Sequence, residues 1–320
     1  MIAAAVSGWC QNYLSAARVR SGERLRIVVD EPFAAEAEEL AEAGRAAGAE
    51  VRIARFPSER PMAEATPELL DSAAWADVSI SLLHRAYAEE VPALRVALEA
   101  LLSHGGRALA SPEIDHEMLA GELSEPIPDV EARARTLLAA VEGARGLRVR
   151  GAAGTDLVLD VTGRRWLDDA LPLEPGGVAN FPGGEICIAP RADGADGVLV
   201  VDLTIPWGPK QELLPEPVVL EFEGGRARSI AGGDAGDALR RLVEEAGAGA
   251  DVIAELGIGL NPAIRPRGHV LFDEKAAGTA HVAIGNNLGP YLGDNFATIH
   301  VDCVFSEPEL TVDGEPVAIP

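Results

Sequence analysis

The chain has 320 residues, 48% of them hydrophobic, with 51 acidic side chains against 27 basic ones and a formal net charge of -24. It is long enough for two domains or one large one and apolar enough for a packed core, while its charge repels phosphate backbones and anionic lipid surfaces, so neither nucleic acid nor a membrane is expected as a partner. Three widely spaced cysteines, Cys10, Cys187 and Cys303, make neither a disulfide framework nor a CxxC zinc site, and with no basic leader and no apolar run of ~18 residues the expected setting is the reducing cytoplasm.

In chain order, an amphipathic opening to about Arg20 is followed by a buried strand at 25–29, an Ala/Glu-rich helix at 34–47 and a second strand at 50–56. A short helix at 67–72, a strand at 76–82, a helix at 91–103 and a strand at 106–110 continue the alternation, and a longer helix at 129–144 closes it. Strands alternating with helices predict a parallel sheet with helices on its faces. From about Gly146 the character changes to short strands at 147–150, 156–160, 197–202 and 218–222, set between Gly, Pro and Asp turns, with one helix at 235–246. The expected fold class is α/β: an N-terminal parallel-sheet α/β domain over 1–146, then a β-rich (α+β) metal-binding domain over 147–320.

The first strand is not followed by GxGxxG. Val29 runs instead into Asp30-Glu31-Pro32, whose carboxylates would oppose a pyrophosphate, so the N-terminal domain reads as structural or substrate-shaping. His84, His104 and His116 lie there with no partner at ligand spacing and read as surface or helix-cap residues.

The chemistry concentrates near the C-terminus. In a strand, residues i and i+2 share a face, so His300 and Asp302 point one way while Ile299, Val301 and Cys303 point the other, and His281 stands in a similar apolar run, Ala280 to Ile284. Two adjacent strands of this kind present two imidazoles and a carboxylate to one ion. Two carboxylates are embedded in apolar segments as well. Glu185 starts a strand after Pro182-Gly-Gly, and Glu255 stands alone in Val252-Ile-Ala-Glu-Leu-Gly-Ile-Gly259. An unpaired carboxylate buried there costs several kcal/mol, so each calls for a cation or a strong donor.

The order of four motifs resembles the thermophilic metallo-aminopeptidase family of the aminopeptidase T/S type. They are Asn180-x-Pro-x-Gly-Glu185, Ala254-Glu-Leu-Gly-Ile-Gly-x-Asn-Pro262, Asp273-Glu-Lys-x-x-Gly-Thr-x-His281-x-Ala-x-Gly285 and His300-x-Asp302, before a closing Val312-Asp-Gly314. The likeness is weak over the first half and strong from Gly154-Thr-Asp156 onward. It implies that Glu185, Glu255, His281, His300 and Asp302 hold two divalent ions, Zn, Co or Mn, with Glu255 bridging. A water activated by ions ~3.5–4 Å apart would attack short peptides or amino-acid amides, with Glu185 or Glu255 relaying its proton. The resemblance also implies a homodimer.

One position departs from that family. Its longer members carry a tyrosine seven residues beyond the first metal histidine, where this chain has Leu288; Tyr291 is the nearest substitute, in a loop with Pro290. The departure keeps open a second reading within the same superfamily, the 2,5-dihydroxypyridine 5,6-dioxygenases, in which a single Fe(II) would sit on His281, His300 and Asp302. Retention of Glu185 and Glu255 favours two metals and hydrolysis. A third reading is a metal-stabilised binding protein without turnover.

Overall fold

The computed structural model of the chain describes residues 6–126, 129–170, 173–207 and 212–320. Its elements run α1 (Gly8–Ala16), β1 (Arg24–Val29), α2 (Ala34–Ala46), β2 (Glu50–Arg55), α3 (Pro67–Trp75), β3 (Val78–Leu82), α4 (Val91–Leu102), β4 (Arg107–Ser111), α5 (His116–Ala120), α6 (Val130–Val141), β5 (Gly146–Arg150), β6 (Asp156–Asp160), β7 (Trp166–Asp168) and β8 (Val178–Asn180). There follow β9 (Glu185–Ile188), β10 (Ala195–Val201), β11 (Val218–Glu223), β12 (Arg226–Ala231), α7 (Gly233–Ala246), β13 (Ile253–Gly259), α8 (Val270–Asp273), β14 (Thr279–Gly285), β15 (His300–Ser306), β16 (Glu309–Val312) and β17 (Glu315–Val317).

The chain forms two compact units, Met1–Ile127 with Leu171–Gly183, and Pro128–Ala170 with Gly184–Pro320. This differs from a single cut between residues 146 and 147 in two places. The helix α6 lies in the second unit, where Ala134 and Leu137 join the β-sheet core. The segment carrying β8 returns to the first unit and pairs with β4, Leu109 opposite Ala179.

The first unit is the expected α/β layer structure, a five-stranded parallel sheet in the order β2-β1-β3-β4-β8. Leu25, Ile27, Val28 and Val29 of β1 are buried, as a strand covered on both faces requires. Helix α3 starts where the sequence signals it should, with Pro67 in its first turn and the Thr66 side chain accepting from the Leu69 amide. The crevice between β1 and β3, where such sheets bind phosphates, is filled from within. The Asp30 carboxylate accepts the amides of His84 at 2.9 Å and Arg85 at 3.2 Å and pairs with Arg60 at 3.1 Å.

The second unit has two antiparallel sheets, a seven-stranded one in the order β12-β11-β10-β6-β5-β16-β17 and a five-stranded one in the order β15-β14-β13-β9-β7. Their apolar side chains share one core, Leu147, Leu159, Val201 and Leu220 from the first sheet with Ile186, Leu256, Val282 and Cys303 from the second. Each such side chain contributes roughly 1.5–3 kcal/mol on burial. That packing fixes which face of the five-stranded sheet is left for other work.

Candidate metal centre

Because side chains alternate along a strand, sinking Ile186, Leu256, Ile258, Val282, Ile284, Val301 and Cys303 into the core turns Glu185, Cys187, Glu255, His281, His300 and Asp302 to the opposite face. Register then gathers them. Gly257 pairs with both Cys187 and His281, Ala283 pairs with both Glu255 and Asp302, and Gly285 pairs with His300. Gly and Ala at the middle of these rows leave room for the longer chains beside them. A Cβ on Gly257 would stand 2.0 Å from His281 Cε1, so the imidazole can lie where it does only because that residue is glycine.

The five residues expected as ligands are all brought together. His281 Nε2 is 3.7 Å from Glu255 Oε1 and 3.7 Å from Asp302 Oδ1. His300 Nε2 is 3.1 Å from Asp302 Oδ1 and 3.3 Å from Glu255 Oε2. The other His300 nitrogen, Nδ1, is 2.7 Å from the Asn286 carbonyl and donates to it, which aims Nε2 at the carboxylates. Glu255, His281 and Asp302 offer ligand atoms all within 4.8 Å of one another.

The donor set fits a divalent cation. His281 Nδ1 and Glu185 Oε2, 3.5 Å apart, are buried without a hydrogen-bond partner. Burial opposes the charged form of His281, yet Glu185, Glu255 and Asp302 outweigh it and push the ring up to about 10. Burial likewise opposes protonation of His300, and Asp302 overcomes it to carry that ring to about 11. Burial works against the charged carboxylates of Glu255 and Asp302, and the imidazoles nonetheless hold both below the usual range. A pocket that draws protons onto both histidines is one whose carboxylates a divalent ion would satisfy, freeing the ring nitrogens as ligands.

Glu185 has a different partner. Lys275, almost fully buried, ion-pairs with Glu185 and reaches Asp169 at 2.9 Å and Glu274 at 3.1 Å. Burial dominates Glu185 and raises its pKa despite Lys275, and it raises Glu274 to about 8. Sequence reasoning missed Lys275 and Asp169, although Lys275 sits inside the quoted Asp273-Glu-Lys segment. The rest of that segment is framework. The buried Asp273 carboxylate accepts the amides of Arg267 at 2.8 Å and Gly268 at 2.7 Å, and the Thr279 hydroxyl donates to the Asp273 carbonyl at 2.7 Å. The Asn261 amide in turn donates to the Lys275 carbonyl at 2.8 Å. Gly184, at φ +131, lies where a Cβ would come 2.7 Å from Asn261 Cβ, so the Pro-Gly-Gly-Glu and Asn-Pro segments depend on each other.

Cys187, set aside in the sequence with the other cysteines, faces the site and groups with Glu185 and Glu255 within 4.8 Å. Burial, and then the charge of Glu255, push its thiol well above the ordinary value, so it stands there as a protonated thiol. Tyr291 also reaches the site, its ring stacked on His300 at 4.5 Å between centroids. Leu288 is 38% exposed. The three N-terminal histidines are local: His84 Nδ1 is 3.3 Å from the Ile114 carbonyl, His104 Nε2 is 2.8 Å from the Ala76 carbonyl, and His116 is 2.8 Å from Glu36.

A family model described as 2,5-dihydroxypyridine 5,6-dioxygenase (NicX) matches residues 5–319, and the chain belongs to that family. Two solved structures are similar along nearly its whole length. The 2,5-dihydroxypyridine dioxygenase of Pseudomonas putida KT2440 has 22% identity and a TM-score of 0.74, over 98% of this chain and 97% of that one. Wild-type AmpT of Thermus thermophilus has 20% identity and a TM-score of 0.71, over 97% of this chain and 96% of that one. At those identities the likeness is one of fold. None of the curated proteins is similar enough to count as a match. The aminopeptidase resemblance is thus met by a neighbour in fold, whereas family membership is with the dioxygenases. Among the described residues no helix is long and apolar enough to cross a membrane.

Proposed function

We propose, with membership of the 2,5-dihydroxypyridine 5,6-dioxygenase family as the premise, that the chain is a ring-cleaving dioxygenase acting on a dihydroxylated pyridine or a close aromatic analogue. His281, His300 and Asp302 would hold one Fe(II), a two-histidine, one-carboxylate set that leaves positions open. When bound, the iron supplies the redox centre that lets oxygen react with an aromatic ring at ordinary temperature.

The observation that carries this reading over a two-metal hydrolase is the family match over residues 5–319. Lys275 pairs with one oxygen of Glu185 and leaves Oε2 toward His281, so that ion pair is compatible with either reading. The residues around the histidines do the positioning. The Asn286 carbonyl fixes which His300 nitrogen faces the site, and Tyr291 holds that ring from its flat side. Glu274, whose carboxyl burial raises to about 8, lies 3.1 Å from Lys275 in the same buried cluster.

What favours the hydrolase is that Glu185 and Glu255 both face His281, at 3.5 and 3.7 Å. Metal analysis with paired assays separates the two. One iron per chain, with oxygen uptake on 2,5-dihydroxypyridine and no release of p-nitroaniline from aminoacyl p-nitroanilides, is the expected result. Two Zn, Co or Mn ions with the opposite activities would overturn the proposal.

A further inference from the structure

A cavity of about 380 Å³ lies in the first unit, lined by α4 and by strands of the parallel sheet. Its origin is legible in side-chain size. Where covered parallel strands usually present Val, Ile or Leu, this face presents Ser79, Ser81, Ala108 and Ala110, and α4 adds Ala97. Phe56, Leu94, Leu98 and Leu101 give it apolar walls, and the lining includes Val91 and Val178, 51% and 50% exposed.

The charged residues of the lining are Arg26, Arg60, Glu90 and Arg95, of which Arg60 and Glu90 pair with each other. Arg26 of β1 is 6% exposed, and its guanidinium donates only to neutral acceptors: Nε to Ser72 Oγ at 2.9 Å, Nη2 to the Leu69 carbonyl at 3.0 Å and Nη1 to Ser79 Oγ at 3.4 Å. Those contacts use three of the five N–H donors of the fork. The other well-buried cations, Arg60, Arg107 and Lys275, each pair with carboxylates, whereas no carboxylate among the described residues pairs with Arg26. In a chain of net charge -24 this is an unusual thing to leave uncompensated, because a buried cation without a counter-charge is costly. Burial draws its pKa down to about 10, which leaves it charged at neutral pH.

We infer that the N-terminal unit carries a small-molecule site of its own, a pocket that takes an apolar monocarboxylate, its hydrocarbon against α4 and its carboxylate on Arg26. The volume is that of a small-ligand pocket, ~300–1,000 Å³, and such pockets are mostly apolar with a few polar groups that fix orientation. A phosphate, doubly charged and strongly hydrated, would need more donors than the Arg26 fork and two serines provide, and Arg95, also in the lining, is exposed. Arg60 is already committed to Asp30 and Glu90.

Calorimetric titration of the full chain with decanoate, and with the neutral decanol as control, tests this. Decanoate should bind one per chain and at least tenfold more tightly than decanol. Arg26→Met should abolish that preference while retaining decanol binding. Val178→Trp, at an exposed lining position, should weaken both ligands without disturbing the fold by circular dichroism, and covers the case in which Arg26→Met does not fold. Equal affinity for the two ligands, or decanoate binding indifferent to Val178→Trp, would overturn the inference. So would light scattering that shows a dimer dissociated by Val178→Trp with no decanoate bound to either form, because the pocket would then be a contact between copies.

Discussion

The ring of Tyr291 lies flat on the imidazole of His300, with centroids 4.5 Å apart and planes 15° from parallel. Burial, and then the charge of Glu255, hold its phenol well above the usual value, so it stays protonated. The contact is a face, which makes the hydroxyl secondary to the ring. Tyr291→Phe should keep iron affinity within about threefold, and Tyr291→Ala should weaken it roughly tenfold or more, as loss of a ligand-orienting neighbour does. Competition against a chelator reads both. An equal loss from the two variants would assign the role to the hydroxyl.

Gly257 is the second supporting position. Its replacement by Ala sets a methyl against the His281 ring, and overpacking of this kind costs about 1–3 kcal/mol. The expected outcome is an intact far-ultraviolet spectrum with at least tenfold weaker metal binding, measured by dialysis against iron followed by elemental analysis. His84→Ala and His104→Ala, which alter bonds to the Ile114 and Ala76 carbonyls in the other unit, should leave metal content unchanged.

Lys275 neutralises a buried acidic group, so Lys275→Met leaves Glu185, Glu274 and Asp169 without their cation. Breaking such a pair from one side costs about 3–5 kcal/mol. Urea denaturation should show that loss, and the double variant Lys275→Met/Glu185→Gln should recover part of it. A double variant no more stable than the single one would remove the pair from the account.

The fully buried Glu90 binds Arg60 and accepts the Met62 amide at 3.0 Å. Burial raises its pKa, but Arg60 and that amide win and set it below the ordinary carboxyl. Its contribution to stability is therefore complete above the unfolded-state value, about 4.3, and is lost as pH falls through the depressed folded-state value. Glu90→Gln should cost about 3 kcal/mol at pH 7 and progressively less below pH 4, by urea midpoints across that range. A gap between wild type and variant that stays constant with pH would contradict it.

Whatever obeys a short period was legible in the chain itself. Alternation in Thr279–Gly285 and His300–Ser306 placed His281, His300 and Asp302 opposite the core-facing valines, and the strand–helix rhythm of the first half announced its parallel sheet. Those properties depend on a residue and its neighbours at i+2 or i+4, which sequence displays directly. Strand pairing depends on partners tens of residues away, and no local signal sets it. Only the tertiary structure could put Gly257 under His281, bring Cys187 and Tyr291 to the site, return β8 to the first sheet and stand Lys275 against Glu185. A lysine seen in sequence is a solvated charge by default, and only the fold buries this one among three acidic side chains.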